Sequence, residues 1–138
     1  MVKTRYVLVT PARNEAEYIV RTLQSVIAQT VPPIAWVIVS DGSTDDTDRI
    51  VRQYSERYHF ISLVRHESDM DRQFGSKVYA IQAGIQRLKD VEYDFIGNLD
   101  ADITFQPDYY ERILGEFVRN PKLGVAGGVI LDQRDGEW

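Results

Sequence analysis

Four times along this chain, a short run of β-branched and apolar residues gives way to a stretch whose apolar side chains recur at helical spacing. The runs are residues 6–10 (YVLVT), 36–40 (WVIVS), 60–64 (FISLV) and 93–99 (YDFIGNL). The stripes between and after them are Ala16, Ile19, Val20, Leu23, Val26 and Ile27; then Ile50, Val51, Tyr54 and Tyr58; then Val78, Ile81, Ile85 and Leu88; then Ile113, Leu114, Phe117 and Val118. Period-two runs alternating with period-3.6 stripes predict strand–helix units. Residues 123–131, broken by three glycines, are expected to add a fifth strand. Such alternation implies an α/β fold, Rossmann-like, with right-handed crossovers, a mostly parallel sheet and helices on both faces.

The punctuation agrees. Pro11 ends the first run; Asn14 with Glu17 three residues on predicts an N-cap; Pro32-Pro33 closes the first helical region. Ser43 or Thr44 is expected to cap the second helix, and Pro107 suits the first turn of the fourth. A polar loop over residues 66–74 leads into Gly75 and the third helix. The whole of residues 1–138 is expected to be one domain, long enough to bury a sizeable core.

Composition removes several classes. There is no cysteine, so disulfides, zinc thiolate sites, iron–sulfur clusters and a thiol nucleophile are out. His59 and His66 are the only histidines, too few for a histidine-rich metal site. Lys plus Arg number 16 and Asp plus Glu 21, a net charge of −5 with no basic block, which argues against nucleic acid as a partner. Residues 22–40 carry no charge, yet Gln24, Ser25, Gln29, Thr30 and the two prolines rule out a membrane span. The expected location is cytoplasmic, with peripheral attachment to the inner face of the membrane open for a full-length protein.

Ligands of open α/β sheets bind outside the carboxyl ends of the strands. Three such ends are chemically rich here: residues 11–15 (PARNE), 41–44 (DGST) and 100–102 (DAD). Residues two apart in extended chain point to one side, so Asp100 and Asp102 would share a face, where two carboxylates can hold a hard divalent cation that keeps phosphates and waters as its other ligands. An acidic turn in which Asp102 caps the next segment is the plain alternative. Asp41 follows directly on a buried run and can accept hydrogen bonds from a nucleobase N–H or a ribose hydroxyl, although Asp, Gly, Ser and Thr also make ordinary turns. Pro11 and Asn14 are explained by strand end and helix start, which leaves Arg13 and Glu15 to face a ligand. Lys77 would steady a diphosphate at a helix N-terminus, or be a surface lysine. Arg65, His66, Asp69, Asp71 and Arg72 read as solvated loop, and Tyr54 and Tyr58 as core edge.

Together these stretches resemble the family-2 glycosyltransferases, which have the GT-A nucleotide-sugar-binding fold. The resemblance runs in order through VLVTPARNEAEYIVRTLQSVIAQT, WVIVSDGSTDDT, the Gly75–Ile85 segment and FIGNLDADITFQPDYYERIL. It implies that Pro11, Ala12, Arg13 and Glu15 line a nucleoside pocket, that Asp41 contacts the base, and that Lys77 lies near the phosphates. Asp100 would contact the ribose or the metal shell, and Asp102 would ligate Mg²⁺ or Mn²⁺. The donor would be a UDP- or GDP-linked sugar, transferred with inversion to a sugar or lipid acceptor that the residues do not specify. Arg13 stands where the family often has an aromatic residue, and Ser40 where a second aspartate is common.

The family's acceptor half and its aspartate base lie downstream of the fifth strand. The expectation is therefore a donor-binding part with its catalytic base beyond Trp138, since neither Asp132 nor Asp135 sits in a recognisable base motif. Self-association through apolar surface near residues 125–131 is expected too. Two other readings remain open here. Asp100-Ala-Asp102-Ile-Thr104 also fits the D-x-D-x-T motif of haloacid-dehalogenase-like phosphatases, with Asp100 as nucleophile and Asp102 as acid/base. A non-catalytic nucleotide-binding module is the other reading.

Overall fold

The computed structural model describes residues 5–67 and 74–128. Its elements run β1 (Tyr6–Ala12), α1 (Ile19–Ile27), β2 (Ala35–Asp41), α2 (Thr47–Arg57), β3 (Ile61–His66), α3 (Phe74–Arg87), β4 (Phe95–Asn98) and α4 (Tyr109–Arg119). The four strands form one sheet in the order β3-β2-β1-β4, and every pair is parallel. The chain thus steps from β1 to β2 to β3 in one direction, then crosses back to lay β4 on the far side of β1. Right-handed crossovers that reverse direction must place their helices on opposite faces. Accordingly, α1, α2 and α4 pack with Tyr6, Leu8, Trp36 and Ile38 on one face, and α3 packs with Val7, Val9, Val37 and Val39 on the other. Helices on both faces of a parallel sheet are what the alternation predicted.

The strands read as near-continuous apolar runs because both faces are covered. Trp36 is fully buried, and its indole N–H donates to Thr10 Oγ1 at 2.8 Å, so a polar strand residue satisfies the one donor of the largest core side chain. Tyr6 and Tyr110 stack with ring centroids 4.8 Å apart, and burial pushes the pKa of both phenols well above the ordinary tyrosine range, keeping them neutral.

Several boundaries differ from expectation for physical reasons. The α3 stripe is shifted: among the described positions Ala80 and Gly84 are buried and Ile85 is 42% exposed, while Leu88, just past the helix end, is buried as expected. The sheet comes too close for large side chains there. A Cβ on Gly84 would lie 2.5 Å from Val9 Cγ1 and 3.2 Å from Val39 Cγ2. On α4, Leu114 is buried but Val118 is half exposed. Tyr54 and Tyr58 pack on the core edge with rings 6.3 Å apart, as expected. Residues 123–128 are not strand, and Val125 is largely exposed, so the described part of the expected fifth strand is absent; residues 129–131, with Asp132 and Asp135, lie outside the described residues. Asp69, Asp71 and Arg72 of the polar loop also lie outside them. No helix among the described residues is long and apolar enough to cross a membrane.

Candidate functional site

Alternation along the strands decides which carboxyl-end residues face which helix layer. Val7 and Val9 face α3, so Pro11 points to that side; Val37 and Val39 place Asp41 there, and Val64 places His66. Beyond β4, Leu99 and Ala101 are buried in the opposite core cluster, at 5% and 3% exposure, while Asp100 and Asp102 are exposed. Asp100 reaches the first turns of α3, where its Oδ1 lies 3.0 Å from Lys77 Nζ. Residues from β1, β2, β4 and α3 thus converge at one end of the sheet, beside the point where the strand order reverses between β1 and β4. That is where open α/β sheets leave a crevice.

One end of this region is built by two loops fastened to each other, β1–α1 and β2–α2. Asn14 adopts φ 54°, a left-handed conformation that Asn tolerates better than most residues. The turn aims successive N–H groups at the β2–α2 loop: Asn14 N–H donates to Ser43 Oγ (3.1 Å), Glu15 N–H to Thr47 Oγ1 (2.9 Å) and Ala16 N–H to Asp45 Oδ2 (3.1 Å). In return, Asn14 Oδ1 accepts from the N–H of Thr44 at 2.8 Å and of Asp45 at 3.3 Å. Neither expected cap forms as drawn. Asn14 does not cap α1, which starts at Ile19 after Tyr18; Ser43 and Thr44 do not cap α2, whose N-cap is Asp46. These side chains are spent on the neighbouring loop instead. Burial works against the charged form of Asp45, but the hydroxyl and N–H of Thr47 and the N–H of Ala16 outweigh it and hold the carboxyl below its ordinary pKa.

Beneath the loops the network continues inward on the α2 side. Ser40 Oγ lies 2.9 Å from Ser43 Oγ and 2.5 Å from Asp48 Oδ1. With one hydrogen to give, it donates to the carboxylate and accepts from Ser43. Arg65 closes the chain, donating to Asp48 Oδ2 at 2.9 Å and to the Ser43 carbonyl at 3.1 Å. The hydrogen bonds to Asp48, then to Glu67, push the guanidinium's pKa up further. Arg65 is thus solvent-exposed as expected, but it lies in β3 and braces the loop rather than belonging to it. Ser40 and Asp41 are neighbours with opposite duties: Ser40 belongs to this brace, and Asp41, 6% exposed, faces α3. Gly42 (φ 63°) then turns the chain away, its N–H bonding the His66 carbonyl at 2.8 Å.

Of the expected site residues, Pro11, Asp41, Lys77 and Asp100 share the crevice side, and Asp102 follows one exposed position on. Arg13 and Glu15 are half-buried in the β1–α1 turn. Ala12 is 3% exposed within the core cluster, so it has only backbone to offer a ligand. Sequence reasoning missed the Ser40–Asp48–Arg65 brace, whose visible signal was a polar residue at the buried position before Asp41. Among the described residues, no three His, Cys, Asp or Glu side chains cluster tightly enough to hold a metal alone. Two carboxylates with open positions still suit a hard cation that also takes phosphate oxygens.

A four-stranded parallel sheet with helices on both faces, and with carboxylates and a lysine gathered past its strand ends, defines an open, doubly wound α/β protein. More particularly, the chain belongs to glycosyl transferase family 2, whose model matches residues 7–137. It is 31% identical over 115 residues to poly-β-1,6-N-acetyl-D-glucosamine synthase of Staphylococcus epidermidis, covering 83% of this chain and 26% of that protein. It is 35% identical over 116 residues to chondroitin synthase of Escherichia coli, covering 84% of this chain and 16% of that protein. The chain thus spans about a quarter or less of these relatives. Its fold matches TarS 1-349 of S. aureus in complex with UDP-GlcNAc (TM-score 0.68, 21% identity, 94% of this chain and 37% of that one). It also matches the mannosyltransferase PcManGT of Pyrobaculum calidifontis in complex with GDP-Man and Mn²⁺ (TM-score 0.68, 23% identity, 88% of this chain and 34% of that one). The phosphatase reading is not favoured: the family match spans nearly the whole chain, and Asp100 follows the fourth strand, at the sheet edge.

Proposed function

We propose that this chain is the donor-binding part of a glycosyltransferase that takes a nucleoside-diphosphate sugar and transfers the sugar with inversion to a hydroxyl acceptor. The observation that carries this reading is the Lys77–Asp100 ion pair at 3.0 Å, past the end of β4 and on the side of the sheet to which strand alternation also assigns Asp41. In the proposal, Asp41 accepts a hydrogen bond from a base N–H, in a wall held rigid by the two interlocked loops. Pro11, Arg13 and Glu15 complete that wall with the backbone of Ala12. Asp102, with Asp100, holds Mg²⁺ or Mn²⁺, which would neutralise charge building on the leaving diphosphate. Lys77 adds a second positive group beside it and keeps Asp100 oriented at 3.0 Å. The nucleotide sugars and Mn²⁺ named for TarS and PcManGT support this ligand class. The base that accepts the acceptor's proton is assigned to chain beyond residue 138, in keeping with the small share of its relatives that this chain spans.

The test is thermal unfolding of the chain with UDP or GDP, each with and without Mn²⁺. A ligand at a hundred times its Kd stabilises by about 2.7 kcal/mol, a shift of several degrees for a domain of this size. The expected result is a shift with one nucleotide that grows with Mn²⁺ and loses that growth in Asp102→Asn. Equal shifts with and without metal would overturn the metal assignment, and no shift with either nucleotide would overturn the binding itself.

A further inference from the structure

The buried face of α1 is not wholly apolar. Thr22 is fully buried, Ser25 is half-buried, and Gln29, just past the helix end, is 6% exposed. Their spacing of three and four residues puts them in one row. That row faces the segment between β4 and α4, which has neither helix nor strand over residues 99–108. Buried backbone in such a segment must find partners elsewhere. The row supplies them. Thr22 Oγ1 accepts from Ile103 N–H at 3.1 Å, and Ser25 Oγ from Phe105 N–H at 3.4 Å. Gln29 uses both ends of its amide, donating to the Gln106 carbonyl at 2.7 Å and accepting from Tyr110 N–H at 3.0 Å. Thr30 N–H adds a bond to the Pro107 carbonyl at 2.8 Å.

The first of these rungs falls on the residue after Asp102. On the other side of Asp102, Leu99 and Ala101 are anchored in the core. The carboxylate therefore stands exposed on a backbone fixed before and after it. Thr is β-branched, so its χ1 on a helix has few choices and its hydroxyl holds a narrow position. We infer that Thr22 is a positioning residue for the turn at 100–102: through Ile103 it sets where the Asp102 carboxylate stands when a divalent cation and a diphosphate bind. Ser25 and Gln29 extend the same support to the rest of the segment. This inference rests on the reading of Asp100 and Asp102 as the metal-holding pair.

Calorimetric titration of UDP and of GDP into the 138-residue chain, with and without Mn²⁺, tests it. The readout is the metal increment, the ratio of the Kd without Mn²⁺ to the Kd with it. Removing the support of a metal ligand typically weakens metal binding ten- to a hundredfold. Thr22→Val, of matching shape but without the hydroxyl's acceptor, is expected to cut the increment about tenfold while leaving the metal-free Kd within about twofold. Thr22→Ser should restore it, and Ser25→Ala, at a longer bond, should cut it less. Should Thr22→Val fail to fold, Ser25→Ala and Thr22→Ser decide between them: a lowered increment in the first and a retained one in the second supports the inference. An increment that Asp102→Asn abolishes but the Thr22 and Ser25 variants leave intact overturns the inference alone. Equal losses with and without metal also overturn it, since that marks a purely structural role. A wild-type chain with no increment overturns the inference together with the metal reading beneath it.

Discussion

The two ends of the crevice are held in different ways. At the proposed nucleoside end, the β1–α1 and β2–α2 loops are fastened to one another by reciprocal side-chain and backbone bonds, and Asp41 is 6% exposed. At the proposed phosphate end, Lys77 and Asp100 expose about half of their side chains, 51% and 50%, and α1 supports the backbone of the turn from behind. The difference matches the tasks proposed for them. A hydrogen bond to a base discriminates best from a dry, preorganised wall, where an unmade bond is expensive. Carboxylates meant for a hard cation must stay open to water and phosphate, with their precision supplied from the backbone side.

The comparison breaks most directly at Asp41. Asp41→Ala should weaken nucleotide binding by roughly 1.5–3 kcal/mol, about one to two decades in Kd, with or without metal, by calorimetry. If unfolding temperature falls while affinity holds, Asp41 only shapes a turn. Gly84→Ala tests the other end through α3. The added methyl meets Val9 and Val39, so urea unfolding should show a loss of about 1–3 kcal/mol. Since α3 carries Lys77, UDP or GDP should bind more weakly, whereas the affinity for uridine or guanosine should hold.

Smaller effects separate backbone shape from hydrogen bonding in the interlocked loops. Asn14→Ala loses the acceptor and strains a residue at φ 54°, for about 1–2 kcal/mol of stability. Asn14→Gly relieves the strain only, so it should lie between; equal losses would show that the bonds alone matter. The smallest expected effect is in acid. Asp45 has a folded pKa below its unfolded one, so its contribution is full above the unfolded value and fades as pH falls through the folded one. Asp45→Asn should flatten that acid limb in a pH series of unfolding midpoints: its small loss of stability shows near neutrality and vanishes in acid.

The phosphate-end residues were visible early because a D-x-D after a strand and a lysine after a glycine are local patterns. The brace was not, because Ser40, Asp48 and Arg65 come from three elements and each reads alone as a turn or surface residue. Asn14, Ser43 and Thr44 show the same limit. Their chemistry suits a cap, but a cap and a cross-loop bond use the same oxygen, and only the approach of the second loop selects the partner.

What the chain determined by itself was periodicity: β-branched runs and helical stripes in alternation, hence a parallel sheet covered on both faces, with its polar turns at the strand ends. Tertiary structure decided the rest. The return of β4 to the far side of β1 put α3, alone among the described helices, on one face and brought Lys77 to Asp100. The close approach at Gly84 set the small residues Ala80 and Gly84 against the sheet and left Ile85 exposed. The uncharged polar residues of α1, which in sequence say only that the stretch is no membrane span, acquired partners some eighty residues away. Periodicity is a property of neighbours along a chain; a hydrogen bond across that distance depends on which surfaces the packed helices and sheet bring together.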